Sequence, residues 1–278
     1  MAAWFCRRLA ALTVSKASSY LGHKELSCSC SASLPSRIHP VVAGLHDSVN
    51  ALLAWTKAPA PVQAASTLWI GAGMDHLGHL LSSLTDVLHH PQVQDPERRR
   101  CQTASSWTER LLRDLVVIAD AHSCFSDVLV SLKELLGEAQ AAVRNGDATR
   151  LAAALCTRRR SDRDLSSLAA TLRAVSHRSN SPAAATSDSG EAALAEAVEA
   201  ATCAVASASA AIFAGLASAS ASSVLRALTS PPTASSAEAM ERLQNLEECF
   251  VAAEDGCKQV HRALVNARMS LLNVLTPC

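Results

Sequence analysis

Near the carboxyl end, Leu243, Leu246, Phe250, Ala253, Cys257, Val260, Leu264, Ala267, Leu271 and Val274 recur at alternating steps of three and four residues. A chain with that spacing carries one apolar stripe along a helix, and the stripe is covered only when another helix lies against it. The same rhythm returns upstream. Ile70, Met74, Leu77, Leu81, Leu84 and Leu88 form one stripe, and the longest combines Leu111, Leu115, Ile118, His122, Phe125, Leu129, Leu132, Leu136, Ala139 and Val143. The fold class expected is therefore all-α: an elongated bundle of about six helices with coiled-coil-like seams and no sheet.

Composition agrees. Hydrophobic residues are 49% of the 278 and aromatics only 3%, so the core is built from Leu, Ala and Val, of which Leu and Ala are strong helix formers. Basic and acidic residues balance at 25 each, which leaves the whole protein without the electrostatic footprint of a nucleic-acid binder. The clusters "ERRRC" (Glu97 to Cys101) and "TRRRSDRD" (Thr157 to Asp164) have acids beside them and read as solvated helix faces. The ten cysteines include no C-x-x-C pair, and several sit inside helical stripes where a free thiol packs as a small apolar group. A reducing compartment follows.

Breakers set the boundaries. Pro40 suits a first helical turn, with Val42, Leu45, Val49 and Leu52 on one face until "KAPAP" interrupts. A second helix is expected over about 62–89, ended by the prolines of "HHPQVQDP". The third spans about 104–144 and stops at "RNGD", where Gly146 supplies a left-handed cap and Asp147 the N-cap of a fourth helix over 148–176. Polar linkers are expected near 177–190 and 229–235. Between them lies an Ala/Ser-rich helix over 191–228, and a last helix spans 236–275. Residues 1–37 read as a disordered Ser-rich leader, and 38–277 as the bundle. The leader has no acid before Glu25 and several basic residues, which is also the composition of a transit peptide. The expected location is cytoplasmic, or a plastid or mitochondrion if the leader is a targeting segment.

From Ala200 to Leu225 the chain carries no charge, which is long enough to span a bilayer. Its serines and alanines gain little in hydrocarbon, however, so a buried bundle helix is the better reading and membrane contact is not favoured.

Chemistry is harder to find. "WIGAGMDHLGHL" (Trp69 to Leu80) has its third glycine in the wrong place for a dinucleotide loop and lies inside a helical stripe. Asp75, His76 and His79 stand within little more than one turn and are weak metal candidates, because no second element supplies further ligands. His122 occupies a seam position, where a hydrogen-bonded imidazole can fix helix register. There is no nucleophile elbow, no P-loop and no cysteine recognisably paired with histidine, so neither catalytic residues nor a cofactor are expected. The residues that matter are the seam itself: Leu115, Ile118, His122, Phe125, Leu129, Leu132, Leu246, Phe250, Val260, Leu264 and Leu271.

Three stretches carry a resemblance. "SASLPSRIHPVV" (Ser31 to Val42) leads into "LLAWTKAP"; "LVVIADAHSCFSDVLVSLKELLGEAQAAVRNGD" lies at the centre; and "LQNLEECFVAAEDGCKQVHRALVNARMSLLNVLT" closes the chain. Together they resemble the BYPASS-type proteins of land plants over about residues 31–276, and the opening "SLPSR-HP" and closing "RALVNxRxSLLN" are the specific parts. The leader before Ser31 departs from that pattern. The resemblance implies a predominantly helical protein connected with root and shoot development, including restraint of a root-derived mobile signal, with no catalytic residues to carry over. A non-enzymatic regulatory or scaffolding protein with protein partners on its helix faces is the first expectation. The second is a carrier or enzyme holding a small apolar metabolite between helices, and the third a membrane-associated protein through 200–225.

Overall fold

The computed structural model describes residues 40–58, 66–90, 93, 106–178, 189–229 and 236–275. Six helices make up its elements: α1 (Pro40–Lys57), α2 (Thr67–His89), α3 (Ser106–Asn145), α4 (Ala148–Arg178), α5 (Ser189–Thr229) and α6 (Ser236–Leu275). No strand occurs among the described residues. The stripes read from the sequence are the buried faces of these helices.

The α3–α4 junction follows from its residues. Gly146 adopts φ 65°, a left-handed conformation that glycine enters without a Cβ penalty. That turn lets the Asp147 N–H reach the Ala142 carbonyl at 2.9 Å. The Asp147 carboxylate in turn accepts from the Arg150 N–H at 3.0 Å, capping α4. Helix ends differ from expectation at α2, α4 and α5. α2 begins at Thr67 rather than 62, because extended Ser66 caps it by accepting from the Trp69 N–H at 3.2 Å. α4 runs on through Arg178 and α5 starts at Ser189, so both ends of the linker expected over 177–190 are helical. Residue 229 likewise belongs to α5. The leader, the remaining linker residues 179–188 and 230–235, and residues 62–65 lie outside the described residues.

Helix α5 stands at the centre and packs against all five others. Its position explains its composition. Ala204, Val205, Ala206, Ala208, Ser209 and Ala210 are all buried and cover about two thirds of the helix circumference, while the remaining face, through Cys203, Ser207, Ala211 and Ala214, is half-buried, so most of the helix surface has no room for charge. Small side chains let the neighbouring helices approach closely. By length and composition two stretches could cross a bilayer, Trp107–Asn145 and Ala193–Ala221, and the bundle itself buries 50% and 61% of their apolar windows.

Around this centre, α2 and α6 run parallel. Thr67 meets Cys249 at 3.6 Å and His89 meets Ser270 at 3.1 Å, offsets of 182 and 181 residues. Midway, Gly256 leaves room for Met74, whose Cβ and Cγ would stand 2.5 Å from any Cβ placed there. α3 runs antiparallel to α6, tied by Lys133 to Glu254 at 2.7 Å and Gln140 to Glu247 at 2.9 Å. Such part-exposed ties contribute up to about 1 kcal/mol each, whereas one buried leucine contributes about 1.5–3 kcal/mol. The apolar seams therefore decide the fold.

Helix α1 folds back on α2. Trp55 stacks on Trp69, centroids 4.6 Å apart, and the Trp55 ring also covers the bare Cα of Gly73, leaving no space for a Cβ. Helix propensity alone would make Gly73→Ala stabilising by about 1 kcal/mol. The clash reverses that sign: Gly73→Ala is expected to lose about 1–3 kcal/mol, read from the urea midpoint. A gain in stability would show that the indole does not rest there.

A sealed histidine cluster as the candidate functional site

The third stripe places His122 where an apolar residue would otherwise stand, and the fold turns it inward with no exposed surface. Its Nε2 lies 2.9 Å from Ser209 Oγ on α5. Its Nδ1 lies 3.7 Å from Cys257 Sγ on α6, and that sulfur is 3.4 Å from the His122 carbonyl oxygen. The ring also meets Phe213 edge-on at 5.2 Å and Phe125 at 6.5 Å, while these two phenyl rings stack on each other at 4.0 Å. Three helices thus converge on one imidazole.

A serine, a histidine and a cysteine in contact have the composition of a nucleophilic set, and no spacing in the chain marked a cysteine and a histidine as partners. The packed fold nevertheless makes Cys257 and His122 neighbours. Their electrostatics oppose catalysis. Burial, with a smaller push from His261, lowers the His122 imidazole to about 3, so it stays neutral and is a poor proton acceptor. Burial, reinforced by Glu254, pushes the Cys257 thiol up to about 12. A nucleophilic cysteine needs the opposite shift. Cys257 and Ser209 are buried as deeply as His122, at 3% and 0% exposure, leaving a substrate no approach. The protonated thiol donates to the His122 carbonyl oxygen, and neutral imidazole offers one donor and one acceptor. The set therefore holds α3, α5 and α6 in one register, as polar seam residues do.

The thiols give a direct check. Cys156 is exposed on α4, whereas Cys257, Cys249 and Cys124 are buried. In the folded protein at about pH 8, below the ordinary thiol value, a maleimide is expected to label Cys156 and to reach Cys257 only as fast as the protein opens. Mass spectrometry finding early label on Cys257 would contradict the sealed cluster.

The other seam residues, Leu115, Ile118, Phe125, Leu129, Leu132, Leu246, Phe250, Val260, Leu264 and Leu271, are all buried. Asp75 and His79 are exposed on α2 and His76 is half-buried, and among the described residues no three potential ligands gather to hold a metal. At the end of the bundle near the α3–α4 turn, Leu132, Leu136, Ala154, Arg158, Ser220 and Phe250 border a cavity of about 20 Å³. That is room for one water molecule.

Fold and site together define an all-helical bundle protein whose polar core residues lock helices. Within that class the chain belongs to the family described as Protein BPS1, the BYPASS-type plant proteins, whose model matches residues 73–235 and 223–274. No curated protein and no solved structure matches the chain.

Proposed function

We propose that this BYPASS-type chain is a non-catalytic regulatory or scaffolding protein acting in root and shoot development through contacts on its helix faces. The observation that carries the reading is the sealing of the His122 cluster. The residues best equipped for nucleophilic chemistry are engaged in holding three helices together, with a thiol at about 12 and an imidazole at about 3. Outward-facing apolar groups support the second half. Val251, Val265 and Met269 on α6 are 43%, 43% and 54% exposed, and a helix brings all three to one side. The cavity beside Ser220 admits a single water and so lends a metabolite carrier no support. The cytoplasm is the proposed compartment, in keeping with buried cysteines that form no disulfide among the described residues.

The test is complementation of a plant line lacking this gene. Cys257→Ala, at wild-type protein level, is expected to restore development. The triple variant V251E/V265E/M269E is expected to fold, as shown by circular dichroism, and to fail. Rescue by the triple variant together with failure of a folded Cys257→Ala would overturn the proposal.

A further inference from the structure

We propose that the outer face of α4 is a docking surface for an anionic lipid bilayer. Helix α4 packs only on α3 and α5 among the strong helix pairs, so one side of it faces solvent along its whole length. It carries seven arginines against two aspartates in a chain whose total charge is zero. By sequence those aspartates stand beside the arginines and neutralise them, but the structure separates the two. Asp162 is half-buried and engaged with Arg158 at 2.8 Å, a pair whose side chains are only 21% and 13% exposed, and Asp164 is half-buried as well. Arg159, Arg160, Arg163, Arg173 and Arg178 remain exposed. Among the described residues Arg159, Arg160, Arg163 and Arg173 form no ion pair, and Arg178 shares the field of half-buried Asp114.

The residues between the arginines identify the partner's chemistry. Cys156, Ala170 and Ala174 are exposed there, and no aromatic or large aliphatic side chain joins them. Protein hot spots set arginine beside Trp or Tyr in desolvated pockets, and single-stranded nucleic acid needs aromatic rings to stack on. What remains is a straight band of guanidinium groups about 28 Å long on a low, small-residue surface. A cylindrical duplex meets a straight band at few phosphates, whereas a flat layer of phosphate and carboxylate headgroups meets every arginine at once. Guanidinium binds those groups through paired hydrogen bonds. With no apolar group to insert, the contact is electrostatic, reversible and sensitive to salt.

The experiment is sedimentation of the full chain with vesicles of phosphatidylcholine alone and of phosphatidylcholine mixed with phosphatidylserine, with folding followed by circular dichroism. Binding is expected only to the mixed vesicles and is expected to fall as salt rises. The variant R159Q/R160Q/R163Q is expected to bind about a hundredfold more weakly. The control R144Q/R262Q/R268Q removes equal charge from α3 and α6 and is expected to bind like the wild type. Failure of the wild-type chain to bind mixed vesicles, equal binding to both vesicle types, or equal loss in the two variants would overturn the proposal. So would duplex DNA displacing the protein from the vesicles at equal phosphate concentration, which would assign the face to nucleic acid.

Discussion

Phe213→Ala is expected to lower the stability of the protein by about 3–5 kcal/mol, a large share of the roughly 5–15 kcal/mol available to a domain. Phe213 has no exposed surface. It stacks on Phe125 with an interplanar angle of 15° and presents its edge to His122, so the substitution removes an aromatic pair as well as buried area. The site is poorly placed to heal. Phe213 lies on the buried side of α5, and its neighbouring residues Ala210, Ala214 and Ala217 have no side chain long enough to fill the space. Urea unfolding should show the midpoint falling with an unchanged slope. Val130→Ala, at a side chain 50% exposed, should change stability by no more than about 0.5 kcal/mol. A Phe213→Ala loss below about 1 kcal/mol would mean that α5 is not the centre of the bundle.

Why α5 is central was only partly legible. The charge-free run from Ala200 to Leu225 announces a buried helix, but with no stripe the sequence cannot say which neighbours it has. The stripes of the other helices did announce their buried faces, since a three/four spacing admits no other regular structure. Register was a different matter. Ile70, Met74, Leu77, Leu81, Leu84 and Leu88 on α2 repeat the spacing of Ala253, Cys257, Val260, Leu264, Ala267 and Leu271 on α6 at a constant offset of 183 residues. The observed α2–α6 contacts fall at offsets of 181 and 182. Equal spacing is shared by every good seam, however, so it does not choose a partner. Gly256 opposite Met74 does choose, because only there does a missing Cβ admit the bulkier side chain.

The His122 cluster shows the same division. A histidine on a seam is visible as an exception to an apolar pattern, and a bonded partner for it follows from the cost of burying a polar group. Cys257 was visible only as a small apolar seam residue. Ser209 was one serine among many in α5, with nothing to mark it. Three-helix convergence is a property of the packed state, which a stripe on a single helix does not encode. The same holds for α4: its arginines are plain in the sequence, but only the folded helix shows that Asp162 turns inward while Arg159, Arg160 and Arg163 remain outside.

Acid should expose the role of His122 more sharply than any truncation. The imidazole sits at about 3 in the folded protein, against an ordinary value of 6.5. Between those values the unfolded chain binds a proton that the folded chain refuses, so stability rises with pH across that window. The contribution is fully present above pH 6.5 and is lost as the pH falls toward 3, with a limiting slope of about 1.4 kcal/mol per pH unit. Carboxylates titrate over the lower part of the same range: burial raises Asp114 and Asp120, and bonds from Lys133 and Lys258 lower Glu254. A variant that keeps them all removes their effect by difference. His122→Gln retains a hydrogen-bonding side chain without a titrating ring. It is expected to be less stable than the wild type at about pH 7 and to lose about 1 kcal/mol less between about pH 6 and pH 5, as measured by urea unfolding at each pH. Parallel pH profiles for the two proteins would mean that the imidazole takes up its proton while folded, and a ring able to do that is not sealed among α3, α5 and α6.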